Sequence, residues 1–278
     1  MIYIEKNDKP NIIEKMLNLI KVQDSTIILP INEKTKEKQI EKIAKKTIKV
    51  IGKISNSKKI VLSKKMKKEE KYINYLNEYG IEIADGRWLF EILLTDIVNY
   101  IVEKQKIERV NISVLINDLT DKEFENIKLL AQKYMTINIV TNHIEKFRKL
   151  EQQLQEKGII ATITNNKKKS LMKSQIIINI DFTKELINKY RINESATIVN
   201  VKRPIKITQK RFNGVTVNDY EIEYRNDICN EKFFVDKYNL KDLYEAEMYK
   251  RDSFTNLRKK IKNDKVLINK LYLNNGEL

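Results

Sequence analysis

The residues that most often carry chemistry are almost missing from this sequence, which has one His and one Cys among 278 residues. His143 and Cys229 cannot assemble a Cys/His zinc set, which takes about four such ligands, and no metal site is expected. A Ser-His-Asp triad would have to use His143, and nothing near it resembles a nucleophile elbow. His143 opens a predicted helix, where a positive charge meets the unfavourable end of the dipole, so a neutral cap or surface role is expected. Cys229 has no His near it in sequence and reads as a structural thiol. What remains is a set of hydrogen-bonding side chains that follow β-branched runs: Asn117, Asp118, Thr141, Asn142, Thr164, Asn165 and Asp181. Open α/β sheets hold their ligands at the carboxyl ends of strands. There Asn and Thr could hold an adenine, a ribose or another polar ligand. The same residue types also suit helix caps and turns, and Asp181 suits the cap of a helix starting near Thr183.

Two further clusters stand out. Asp85-Gly86-Arg87-Trp88 is a turn that sets an acid and an arginine beside a large aromatic. It suits a cleft between two domains, an interdomain salt bridge or a helix start, with Trp88 in the core. The densest basic run holds Lys58, Lys59, Lys64, Lys65, Lys67 and Lys68, and suits either a solvated face or a phosphate-binding patch.

The charge gives that run its context. The chain carries 54 Lys+Arg against 38 Asp+Glu, a formal +16. Residues 1–80 hold +9, residues 81–182 +1 and residues 183–278 +6, so any polyanion surface belongs to the ends. Only 9 of the basic residues are Arg, the side chain best shaped for bidentate phosphate contacts, and Lys is a residue that A/T-rich codons supply. An apolar share of 41% argues against charge-rich disorder. The first 20 residues show no unbroken apolar stretch of a secretory signal, and no window is apolar enough to span a bilayer. A cytoplasmic protein is expected.

The elements that must position these residues follow from pattern. Short Ile/Val runs alternate with helical periodicity, the mark of βαβ units and mostly parallel sheets. The expected fold class is α/β, with two α/β units, the second a Rossmann-like mostly parallel sheet, and a C-terminal helical tail. Residues 1–86 read as a basic N-terminal domain: strands at 2–4, 26–29, 48–51, 60–62 and 81–84, and helices near 11–21, 33–46 and 67–79. The first of these helices sets Ile12, Ile13, Met16, Leu17 and Ile20 on one face. Residues 87–106 read as one long connecting helix. Residues 107–218 read as the second domain, with strands at 111–116, 137–141, 159–164, 176–180 and 196–201, helices at 121–134 and 143–157, and a short helix near 168–173. Residues 219–278 read as a mostly helical segment that packs back on the first domain.

Residues 87–204 resemble the dinucleotide-binding domain of shikimate dehydrogenase, glutamyl-tRNA reductase and their relatives. The resemblance lies in a long helix leading into the strand NISVLI, in IVTNHIEKFRKLEQQL after the second strand, in ITNNKKKSLMKSQIIINI, and in ATIVNVKRP. It implies an NAD(P) site at the carboxyl ends of these strands. The sequence departs from the family after the first strand. A dinucleotide fingerprint needs glycines there so that the backbone can approach a pyrophosphate. This chain has Asn117-Asp118-Leu119-Thr120-Asp121, and Asp118 and Asp121 would repel one. Asn142 stands where the ribose-binding carboxylate would be. A fold that has lost the standard cofactor mode is therefore expected, with no cofactor and NAD(P) disfavoured. Such a chain would act by binding a small ligand or a protein partner rather than by redox catalysis. The alternatives are an NAD(P)-dependent oxidoreductase with an atypical phosphate loop, and a nucleic-acid-binding protein using the basic N-terminal unit. A homodimer stays open.

Overall fold

Apolar runs of the N-terminal segment pair as a five-stranded sheet, in the computed structural model that describes residues 1–7, 9–55, 59–224, 236–274 and 276–278. Strands β1 (Ile2–Lys6), β3 (Thr26–Leu29), β4 (Lys59–Leu62) and β5 (Glu82–Ala84) are parallel. The short β2 (Lys21–Gln23) closes one edge antiparallel, giving the order β2-β3-β1-β4-β5. One face packs Ile2, Ile4, Ile27, Leu29, Ile60 and Leu62 against helices α2 (Glu37–Ile54) and α3 (Glu70–Glu78). Helix α2 absorbs Ile48–Ile51, which were expected as a strand. Its buried Ile40, Ile43, Ala44, Thr47 and Ile51 repeat at helical spacing, and that stripe outweighs local β-branching.

The first helix, α1 (Ile12–Leu17), is shorter than expected and turned the other way. Ile12, Ile13, Met16 and Leu17 are exposed, while Glu14 is buried. The cause is polar. Glu14 closes a capping box with Asn11 and also accepts from Asn7 and pairs with Lys21 at 2.5 Å.

The chain divides into two compact units, Met1–Gly86 with Arg225–Arg251, and Arg87–Tyr224 with Asp252–Leu278. The C-terminal third is thus shared between them. Helix α9, numbered after the helices of the second unit, spans Leu240–Glu247 and covers the other face of the first sheet, where Leu243 and Tyr238 meet Val61, Ala84 and Tyr3.

The second unit opens with two helices, α4 (Arg87–Ile92) and α5 (Leu94–Gln105), in place of the single long one expected. Its sheet is eight-stranded. The parallel part runs β8 (Ile160–Thr164), β7 (Thr136–Val140), β6 (Ile112–Leu115), β9 (Ile176–Asn179), β10 (Thr197–Asn200) and β11 (Val215–Glu223). In chain order this is 3-2-1-4-5-6, a doubly wound arrangement whose direction of winding switches between β6 and β9. Helices α6 (Asp121–Tyr134) and α7 (Arg148–Gln155) make the crossovers β6–β7 and β7–β8. The stretch near 168–173, expected as a helix, is a run of turns, and α8 (Lys184–Ile187) is a single turn. Gly214 precedes β11 where a Cβ would fall 2.0 Å from the Ala196 carbonyl oxygen, so no other residue fits there without moving backbone.

The expected helical tail is corrected at its end. Helix α10 (Phe254–Asn263) stops, and β12 (Leu267–Leu273) adds antiparallel to β11, with β13 (Gly276–Glu277) at the edge. The first half of LINKLYL alternates exposed and covered positions, the period of a strand, and Leu271 is fully buried. Lys58 and Cys229 lie outside the described residues. Among the described residues, no helix is long and apolar enough to cross a membrane, and no group of three or more His, Cys, Asp or Glu could hold a metal ion.

Candidate ligand-binding site

The switch point between β6 and β9 is where a doubly wound sheet opens a crevice. Here the chain closes it with its own anion. The Asp181 carboxylate, just beyond β9, accepts from the backbone N–H of Asn117 at 2.9 Å and of Asp118 at 2.8 Å. Those amides are the donors that a phosphate would otherwise use. Burial pushes the Asp181 carboxyl above the ordinary range, while the two amides and Lys202 pull it back. Asp181 is therefore not the cap of the next helix. Thr183 is, accepting from the Leu186 N–H.

The neighbouring candidates are tied together in the same way. The Asn117 side-chain oxygen accepts from the Asn142 N–H at 2.9 Å, and Thr141 Oγ1 accepts from the His143 N–H at 3.0 Å. Asp118 is exposed and meets Lys146 at 3.2 Å. Thr164 Oγ1 accepts from the Asn166 N–H, and Asn165 is exposed beside it. Further along the same edge, Asn179 donates to Asn200, and Asn200 donates to Asn218 and to the Ile205 carbonyl. Asn179 and Asn200 are buried, and their ladder fastens β9, β10 and β11 to the chain that follows them.

A different polar group lies in mid-sheet. Ser113 on β6, Asn138 on β7 and Thr162 on β8 stand side by side in register. The same row continues as Ile177 on β9 and Ile198 on β10, so it turns from apolar to polar across the sheet. The change follows the cover. Ile177 and Ile198 are packed under Phe182, Ile187 and Tyr190. Beside Ser113 and Asn138 lie the turns of 165–175, which bond them through Ser174 and the Ser170 carbonyl. Strands of a parallel sheet covered on both faces read as continuous apolar runs, and this row marks where the cover is incomplete. Asn138 donates to Ser113 Oγ at 2.9 Å and to the Ser170 carbonyl at 2.8 Å, and Ser113 and Ser174 share a hydrogen bond of 2.6 Å. A cavity of about 380 Å³ opens over the row. Lys169 and Lys173 stand at its margin, and Ser170 Oγ is buried without a hydrogen-bond partner. Of the residues predicted as ligand-binding, Thr164 alone lines this cavity. The signal that points to the others is a polar residue at alternate positions in three strands that are otherwise apolar.

The remaining candidates take up other places. Asp85 is exposed at the end of the first unit, whereas Arg87 and Trp88 belong to the second, where Lys122 Nζ lies 4.9 Å from the centre of the Trp88 ring. In the lysine run, Lys59 donates to the carbonyls of Glu245 and Met248 at 2.7 and 3.1 Å, and burial lowers its pKa. Lys67 pairs at 2.5 Å with Asp242, which is fully buried on α9. Both lysines hold α9 on the first sheet. Lys64, Lys65 and Lys68 are exposed.

No family model and no curated protein matches the sequence. Among solved structures, the chain is similar to a protein assigned as an aspartate carbamoyltransferase from Trypanosoma cruzi, at 12% identity and a TM-score of 0.27, over 71% of this chain and 69% of that one. It is also similar to a mitochondrial ornithine carbamoyltransferase from Coccidioides immitis, at 9% identity and a TM-score of 0.29, over 77% and 75%. Likeness of this degree transfers no activity. The expected resemblance to shikimate dehydrogenase and glutamyl-tRNA reductase is corrected: both of these solved structures are carbamoyltransferases, and Asp181 occupies the amides that a dinucleotide-binding loop would offer. The α/β class with two mostly parallel sheets stands independently of that resemblance.

Proposed function

We propose that this chain works by binding a small polar anion on the uncovered part of its second sheet. The observation that supports this reading is the in-register row Ser113, Asn138 and Thr162 beneath a cavity of about 380 Å³. Hydroxyl and amide groups there suit the hydroxyls of a sugar or hydroxy acid. Lys169 and Lys173 suit its phosphate or carboxylate. Ser170 Oγ is buried without a partner, and a buried hydroxyl gains most from a ligand that supplies one.

The test is calorimetric titration with ribose 5-phosphate, AMP and citrate as probes. At least one should bind, and Asn138→Leu and the double variant Lys169→Glu/Lys173→Glu should each weaken it about tenfold or more. Failure of all three probes, or binding indifferent to both variants, overturns the reading. So does sub-millimolar binding of NAD or NADP that survives Asn138→Leu.

A further inference from the structure

A second cavity, of about 1030 Å³, lies in the same unit and shares no lining residue with the polar row. Its volume is at the upper end of ligand clefts, which run about 300–1,000 Å³. Helices α6 and α10 and the turn after α10 form its walls.

The cavity has two chemistries. Its apolar lining is Leu129, Phe254, Ile261, Val266 and Leu267. Ile261 and Val266 are buried, but Leu267 is 64% exposed, so part of this surface faces water. Its charged lining is mostly cationic. Arg258 is matched by Asp96, and Lys128 by Glu125. Lys157, Lys259, Lys262 and Lys265 line the cavity as well, and none of them makes an ion pair among the described residues. They come from separate segments. Lys157 follows α7, Lys259 and Lys262 are about one turn apart on α10, and Lys265 is held in left-handed backbone beyond it. All four are exposed, so their like charges are gathered along one solvent-facing rim, and an anion among them relieves the repulsion.

Neither half is satisfied by a simple ligand. An inorganic anion would answer the lysines and leave Leu129 and Leu267 wet. A neutral hydrocarbon would cover the leucines and leave the lysines unmatched. The polar row, by contrast, sets Ser113, Asn138 and Thr162 in register under its cavity, with Ile112, Ile137 and Ile160 as the apolar part of the lining. We propose that this groove binds a single-chain anionic amphiphile, a long-chain acyl carboxylate, with the chain on Leu129, Phe254 and Leu267 and the carboxylate among the four lysines.

The experiment is titration of the full chain with dodecanoate below its micelle concentration, beside dodecyltrimethylammonium, dodecyl maltoside and sulfate. Dodecanoate should bind one to one, at least tenfold tighter than any of the other three. Removing each methylene from the chain should weaken binding by up to about fourfold. Lys259→Glu/Lys262→Glu, both at exposed positions, should weaken it at least tenfold, and Lys157→Glu should weaken it independently. Asn138→Leu should leave it unchanged, which separates this groove from the polar row. Equal binding of the cationic or neutral detergent overturns the proposal, as does dodecanoate binding that ignores both charge reversals. Binding to phosphatidylglycerol vesicles, or to an acidic amphipathic peptide, with no binding of dodecanoate also overturns it.

Discussion

The carboxyl edge of the second sheet and its uncovered face are built from the same residue types, Asn, Ser and Thr, and differ in where their hydrogen bonds end. At the edge they end inside the protein. Asp181 serves the amides of Asn117 and Asp118, Asn117 serves Asn142, and the Asn179–Asn200–Asn218 ladder serves the chain after β10. On the face, Asn138, Ser113 and Ser174 are linked, but Ser170 Oγ is left over and a cavity adjoins the group. A satisfied buried network adds rigidity, while a partly satisfied one keeps capacity for a ligand. Position in the fold is therefore a poor guide to function by itself. The place where doubly wound sheets usually bind is occupied from within, and the less usual place is open.

The contrast can be broken most severely at the edge. Asn200→Ala removes the middle of a buried ladder and leaves the Ile205 carbonyl without its partner, so a loss of about 2–4 kcal/mol is expected by urea unfolding. A loss below about 1 kcal/mol would mean that the ladder is not what holds this edge.

Asp181→Ala should cost somewhat less, about 1–3 kcal/mol at neutral pH, because two backbone donors lose a charged acceptor. Its pH signature is specific. Burial raises the folded pKa of Asp181 above its unfolded value, so the folded chain holds that proton more tightly. The contribution of this group to stability is therefore greatest below the unfolded pKa of about 3.9, and it falls as pH rises from there through the folded value. Unfolding measured across that window should show a steeper fall with pH for the parent chain than for Asp181→Ala. Parallel curves would rule out Asp181 as a buried titrating group.

The smallest effect belongs to the open face. Ser170→Ala deletes a hydroxyl that has no partner, so stability should stay within about 0.5 kcal/mol of the parent. A loss above about 1 kcal/mol would show that this hydroxyl is bonded after all, and the contrast between edge and face would disappear.

Strands β6, β7, β9 and β10 are legible in the sequence because Ile and Val dominate them and they are covered on at least one face. Helix α6 is legible by its amphipathic spacing over 121–134, and Thr120 caps it in a box closed with Glu123. The misreadings share one cause, competition between local preference and long-range packing. The β-branched stretch TIKVI in α2 favours a strand locally, yet its stripe fits a helix against the first sheet. β12 follows a helix and is short of β-branched residues, and it becomes a strand because β11 offers an unpaired edge. The role of Asp181 joins residues more than sixty positions apart, and no local pattern carries that information. The row of Ser113, Asn138 and Thr162 was half visible. Each residue is an anomaly in an apolar strand, but only pairing register reveals that the anomalies are neighbours.

The path of the chain after β11 bears on how the molecule is made. After Tyr224 the chain leaves the second unit, contributes residues 236–251 to the first, and returns to lay down α10 and β12. During synthesis the first sheet waits for α9 to cover its second face, and the parallel part of the second sheet waits longer still for β12 to close its β11 edge. Each nascent unit therefore exposes a bare face or an unpaired strand until α9 or β12 has left the ribosome. No single cut between the two units would yield two complete pieces. Truncations at residue 224 or 251 should consequently aggregate rather than fold as domains, and the chain is most vulnerable before α9 and β12 are made.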